Sequence, residues 1–156
     1  MSRRNISKKR FPEADLKYNS CLVSLLTTRI LKAGKKNLAR NIVNTAFDII
    51  KTETNENPLL ILQRAMVNSR PVLEVKARRI GGSTYQVPIQ VSKFRATNLS
   101  LRWIIQYANQ RTGRSMSIKL ANEIMDTANN IGNTIKKKDE THKMAHANKA
   151  FSHFRY

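Results

Sequence analysis

The sequence is short of several things, and each shortage excludes a class of protein. Among its 156 residues there is one cysteine, Cys21, which leaves no internal disulfide and no cysteine-rich metal site. The longest unbroken apolar run is Leu59 to Leu62, far below the ~20 residues that span a bilayer. There is no apolar secretory core near Met1, and residues 1–10 are too short for an ordinary transit peptide. The chain is therefore expected to work in the compartment where it is made. No glycine follows Met1 and no prenylation cysteine ends the chain, so lipid anchoring is not signalled. Repeats and low-complexity tracts are also lacking.

The most informative shortage is of acids. The chain has 10 Asp+Glu against 29 Lys+Arg, a formal net charge of +19. No acid occurs from Leu16 to Phe47, a stretch with six bases, nor from Val75 to Asn122, which holds nine. Solvated surfaces normally mix signs. A chain this unbalanced repels itself unless a polyanion neutralises it. Bases distributed over every segment suit wrapping by nucleic acid better than one flat membrane contact.

What is present reads as helices around one hairpin. The length predicts a single domain over 1–156, with one real core. Residues 1–19 read as a basic arm. Leu22, Leu25, Leu26 and Ile30 give a first helix to about Lys32, with Gly34 placed for a left-handed cap. A second runs from Lys36 to Lys51, on a stripe of Leu38, Ile42, Ala46, Ile49 and Ile50. Thr52 to Asn57 reads as loop, and Asn57-Pro58 starts a third helix that stops before Arg70-Pro71. The period then changes to two: Leu73, Val75 and Ala77, then Tyr85, Val87, Ile89 and Val91, flank Gly81-Gly82. That predicts a β-hairpin arm over 72–91, with Pro88 confining its strand to an edge. Such a hairpin must lean on the helices or on a partner. A fourth helix begins near Asn98 and ends at Gly113. A fifth is capped by Ser115 or Ser117 and broken at Gly132. A sixth, polar and Lys-rich, runs from about Thr134 to Phe151 within a basic 134–156 segment. The fold class expected is mainly α: five to six helices, a projecting two-stranded hairpin and basic termini.

Enzyme signals fail on spacing. Gly34-Lys35-Lys36 resembles the end of a phosphate-binding loop, but Arg29 stands where that motif needs Gly and Lys36 where it needs Ser or Thr. His142 and His146 are one turn apart, yet a zinc protease needs Glu where Lys143 stands, and the surrounding lysines repel a divalent cation. Cys21 reads as a small, partly buried side chain. There is no Gly-x-Ser-x-Gly elbow and no carboxylate pair at catalytic spacing. No enzyme activity, cofactor, metal or small-molecule substrate is expected.

Several motifs are similar to those of one family. Ser20, Leu22, Leu26-Thr27, Gly34-Lys35-Lys36, Ile42-Val43 and Ala46 resemble the signature of the small-subunit ribosomal protein S-seven family. The run Val75-Lys76-Ala77-Arg78-Arg79-Ile80-Gly81-Gly82-Ser83-Thr84-Tyr85-Gln86-Val87-Pro88 resembles that family's arm. Arg102-Trp103-Ile104, Lys119-Leu120-Ala121-Asn122-Glu123 and Glu140-Thr141-His142-Lys143-Met144-Ala145 extend the likeness over nearly the whole chain. A departure is His146, where family members usually carry Glu. The resemblance implies binding to the 3′ major domain of small-subunit ribosomal RNA and nucleation of head assembly. It also implies a place near the exit site beside messenger RNA and transfer RNA, and contact with other small-subunit ribosomal proteins of head and platform.

Asn, Ile and Lys make up 44 of 156 residues, as AT-rich coding would produce. Lys51-Thr52-Glu53-Thr54-Asn55, Asn57-Pro58-Leu59 and Arg114-Ser115-Met116 are similar to plastid members, although Glu56 and a flanking Asn interrupt the pattern. A chloroplast (plastid) ribosome is expected, with a bacterial cytoplasm as the alternative.

Structured RNA is read by shape through phosphate and 2′-hydroxyl contacts, and Arg and Lys supply them. The candidate contacts are Arg3, Arg4, Lys8, Lys9 and Arg10 in the arm, and Lys35 and Lys36 after the first helix. Lys76, Arg78 and Arg79 belong to the hairpin. Arg95, Arg102, Arg111, Arg114 and Lys119 extend the footprint, and Lys136, Lys137, Lys138, Lys143, Lys149 and Arg155 close it. Trp103 lies beside an apolar stripe, so core packing is favoured over stacking on a base. A DNA-binding helix-turn-helix regulator, with Ser115 to Asn130 imitating a recognition helix, is the competing class. Such regulators concentrate their bases on one helix, and here every segment carries them.

Overall fold

The computed structural model describes residues 12–154; Arg3, Arg4, Lys8, Lys9, Arg10 and Arg155 fall outside that range. The helices are α1 (Cys21–Ile30), α2 (Lys36–Thr54), α3 (Pro58–Ser69), α4 (Lys93–Gln110), α5 (Met116–Ala128) and α6 (Asn133–Ala147). Strands β1 (Leu73–Ile80) and β2 (Ser83–Gln90) separate α3 from α4, and a 3₁₀ helix (Lys149–Phe154) follows α6. Mainly α with one hairpin is the class expected.

The amphipathic stripes meet on α5, which packs against α2, α3 and α4. Phe47, Leu26, Ile50, Leu62, Met66, Leu101, Ile104, Leu120 and Ile124 are fully buried there. Trp103 is buried too, as its apolar neighbours suggest. The stripe expected on α2 is turned. Its inward face is Ala39, Val43, Ala46, Phe47 and Ile50, which leaves Leu38 56% exposed and Ile42 and Ile49 only partly buried. Phe47 is the bulkiest apolar residue on α2, and placing it at the centre fixes the helix's rotation.

Several boundaries differ from expectation, each for a local reason. Helix α1 ends at Ile30, before Lys32, and Leu31 is already extended. Helix α2 runs on to Thr54, where the left-handed Asn55 (φ 56°) caps it and donates its N–H to the Lys51 carbonyl; within that last turn Thr52 and Thr54 donate to the carbonyls of Ile49 and Ile50. Helix α4 begins at Lys93, five residues before Asn98, whose amide instead donates to the Phe94 carbonyl as a mid-helix residue. It also ends at Gln110, short of Gly113. Helix α6 stops at Ala147, and the segment expected to continue it tightens into the 3₁₀ turn. Asn57 does cap α3, accepting from the Leu59 N–H, and Ser115 caps α5.

The hairpin register runs from Leu73↔Gln90 to Ile80↔Ser83. Gly81 (φ 56°) and Gly82 (φ 91°) supply the two left-handed positions that its two-residue turn requires. Opposed residues share a face, so Lys76 stands across from Val87 and Arg78 across from Tyr85. The apolar run of one strand therefore meets the basic run of the other, and neither face is purely apolar.

The hairpin leans on the C-terminal segment. Helix α6 packs on β1 and the 3₁₀ helix on β2. Tyr85 lies between Phe151 and Phe154, with ring centroids at 5.4 and 5.5 Å. At the base, the Val72 N–H donates to His142 Nε2 at 3.0 Å. That bond requires Nε2 to be unprotonated. Burial lowers the His142 pKa below its ordinary value, the Lys138 ammonium and His146 push the same way, and Asp139 opposes them. Protonation is thus harder in the folded than in the unfolded chain. The stabilising effect is complete above the unfolded value near 6.5 and declines as pH falls below it. Melting temperature is expected to drop between about pH 7.5 and 5.5, and His142→Gln to shrink that drop. An equal drop in the variant would contradict the tether.

Candidate nucleic-acid interface

The two acid-free stretches touch where α1, from the first, packs on α4, from the second. Most of the hairpin also belongs to the second stretch, but it packs on α6 and the 3₁₀ helix. The join is marked by Arg29, whose guanidinium donates to Asn98 Oδ1 at 2.5 Å. Arg102 follows one turn later on α4. Burial lowers the Arg29 pKa and the neighbouring Arg102 charge lowers it further. Neither arginine has a carboxylate partner among the described residues. Neighbouring guanidiniums without a carboxylate suit a phosphate, which can accept from both.

The α1–α2 turn adds Lys32, Lys35 and Lys36, all exposed. Its backbone is unusual, because Ala33 (φ 50°) and Gly34 (φ 72°) are both left-handed. A non-glycine residue there costs of order 1–2 kcal/mol. The turn is held by backbone bonds from Lys35 N–H to Lys32 O and from Lys36 N–H to Gly34 O, at 3.1 and 2.8 Å.

Ion pairs show which bases are already occupied. Eight of the ten acids are paired, five of them in Lys17–Asp48, Arg64–Glu56, Arg40–Asp15, Lys137–Glu140 and Lys138–Asp139. Three bases proposed from sequence already have partners, Arg111 and Lys138 across the fold and Lys137 in an exposed pair along α6. Arg111 donates from Nε to Glu123 Oε2 at 2.5 Å and from its terminal nitrogen to Asp126. Burial pulls its pKa down, but these two carboxylates outweigh that and raise it. Glu123 is 1% exposed and also accepts from the Thr134 hydroxyl and N–H, so Arg111 joins α4 to α5 and the start of α6. This pairing gives Arg111 a structural role. Lys138 donates to the Asn68 carbonyl at 2.9 Å, and Lys137 to Glu140 at 2.6 Å. Arg95 is exposed but holds both Glu74 oxygens, at 2.7 and 2.9 Å, fixing the hairpin base to α4.

The other candidates remain available. Lys76, Arg79, Arg102, Arg114, Lys136, Lys143 and Lys149 are exposed, and Arg78 and Lys119 partly so. None has an ion pair among the described residues. Lys35, Lys36, Arg102 and the hairpin bases belong to the acid-free stretches, whereas Lys136, Lys143 and Lys149 lie on α6 and the 3₁₀ helix. Arg29 and Lys32 lie in the first of these stretches too, although their roles could not be read from sequence. The pairing of Arg29 with Asn98 spans 69 positions, and only the fold brings them together. Among the described residues no group of His, Cys, Asp and Glu could hold a metal ion, and no helix is long and apolar enough to cross a membrane.

Residues 2–149 match the family model described as ribosomal protein S7p/S5e. The chain is 79% identical over 144 residues to the small ribosomal subunit protein uS7c of Trieres chinensis, covering 92% of this chain and 91% of that protein. It is 56% identical over 157 residues to the small ribosomal subunit protein uS7 of Crocosphaera subtropica, and 51% identical over 156 residues to that of Synechococcus elongatus. Both matches run the full length of both chains.

Proposed function

This chain belongs to the ribosomal protein S7p/S5e family, and on that premise we propose that it is a structural, non-catalytic constituent of the small subunit of the plastid ribosome. It binds the 3′ major domain of small-subunit ribosomal RNA and helps nucleate the head. Its hairpin reaches toward the exit site, beside messenger RNA and transfer RNA, and its remaining surface meets other small-subunit ribosomal proteins.

The observation that carries this reading is the meeting of the two acid-free stretches at the α1–α4 join, where Arg29 and Arg102 have no carboxylate partner among the described residues. RNA helices expose phosphates and 2′-hydroxyls in arrays set by shape, which a rigid surface of fixed bases can match. The hairpin is held at its base by Arg95–Glu74 and His142–Val72 and along its length by α6. It therefore projects as a braced arm. Chemical footprinting of small-subunit ribosomal RNA at about 0.2 M salt tests the reading, because weak contacts are suppressed there. A compact protected patch in the 3′ major domain is expected. Diffuse protection, or a preference for duplex DNA, would overturn it.

A further inference from the structure

Leu38 is exposed where the α2 stripe predicts burial, and it faces a purpose-shaped space. Between α1, α2, α4 and the start of α5 lies a groove of about 420 Å³. Its apolar lining is Leu38, Ile42, Ile105 and Met116. Its rim is Arg29, Lys32 and Lys35, and no carboxylate lines it. Asn109 is the one other polar side chain there, exposed and with no hydrogen bond among the described residues. We propose that this groove seats one unpaired base of the ribosomal RNA, with its apolar floor against the base face, Asn109 at the base edge and the three rim bases on the flanking phosphates.

The occupant follows from the lining. A space of this size suits a small-molecule-sized group, and its mixture of apolar walls with one directional polar group is what fixes such a group's orientation. An apolar peptide would leave three rim cations facing it without counter-charge. A nucleotide satisfies both halves, since its base is flat and apolar on its faces and its phosphates are anionic. Unpaired bases splayed from RNA are what proteins read when they read more than shape. An Asn amide offers one acceptor and two donors, enough to pair with a base edge. The seat also gives a reason for the strained Ala33, which lines the groove in the turn that sets Lys32 and Lys35 on its rim.

The proposal rests on the ribosomal RNA reading, and the test separates the two. Affinity of the full chain for the 3′ major domain RNA is measured across a salt series for the wild type and for Leu38→Ser, Asn109→Ala and Lys35→Gln. Leu38 and Asn109 are exposed, so both variants are expected to fold, with melting curves as the check. Leu38→Ser is expected to bind about tenfold more weakly with an unchanged salt slope, because a base contact involves no counterion. Asn109→Ala should weaken binding in the same way. Lys35→Gln should instead reduce the slope by about one. Wild-type affinity in both Leu38→Ser and Asn109→Ala would overturn the base seat while leaving the RNA reading intact, and would return the groove to a protein partner. Failure of the wild type to prefer the RNA over duplex DNA would overturn both.

Discussion

Replacing Arg111 by alanine is expected to lower folding stability by roughly 3 kcal/mol. Removing one partner of a buried ion pair costs roughly 3–5 kcal/mol, because the other charge stays behind without compensation. Here the charge left behind is Glu123, which is 1% exposed and keeps only its bonds from Thr134. The lower end of the range applies because about a quarter of the Arg111 side chain is in water, so some of its contact energy is already screened. Arg111→Lys should not restore the loss, since one ammonium cannot serve two carboxylates from separate nitrogens as the guanidinium does. Urea unfolding near neutral pH measures the change. A loss below about 1 kcal/mol would show that the network is not structural. Arg102→Ala is the contrast. It should change stability by no more than about 0.5 kcal/mol while weakening RNA binding and flattening its salt dependence.

The second large effect concerns that salt dependence. If about eight phosphates are neutralised, log affinity falls against log salt with a slope of about −7. Between about 0.05 and 0.2 M salt, affinity should then drop on the order of 10⁴-fold. Filter binding across that range reads the slope directly. A slope shallower than about −3 would mean that most of the exposed bases point elsewhere. Because Arg111 and Lys138 are held by partners across the fold, removing their charge should not flatten the slope in molecules that remain folded.

The hairpin, five of the helix starts and the helical class were legible because periodicity and punctuation are local. Gly81-Gly82, Asn57-Pro58 and Ser115 each act within a few residues, and the structure uses each of them as read. The start of α4 was not legible, because Asn98 resembles a cap and its actual bond, back to Phe94, is an alternative that sequence cannot rank. The rotation of α2 was hidden for a related reason. Leu38 and Ile42 fit a helical stripe as well as Val43 and Phe47 do, and only packing on α5 chooses between them.

The candidate interface divides in the same way. The two acid-free stretches were visible as composition, but their meeting at α1 and α4 is a property of the fold. Arg111 lies in an acid-free stretch and looked like a surface base, yet its acids follow 12 and 15 positions later on the next helix. Composition therefore marked the basic stretches, whereas the tertiary pairing of Arg111 and Lys138 was visible only in the fold.

The central claim is that RNA covers the α1–α4 join and the hairpin, and lysine modification with and without the 3′ major domain RNA tests it most directly. Lys32, Lys35, Lys36, Lys76 and Lys93 lie in the acid-free stretches and are exposed. Lys51 is also exposed, but it lies near the acidic end of α2, beside Asp48 and Glu56. Protection of the first five by RNA with Lys51 still reactive is the predicted result. Protection of Lys51 with the other five still reactive would place the RNA at the acidic end of α2 and contradict the account.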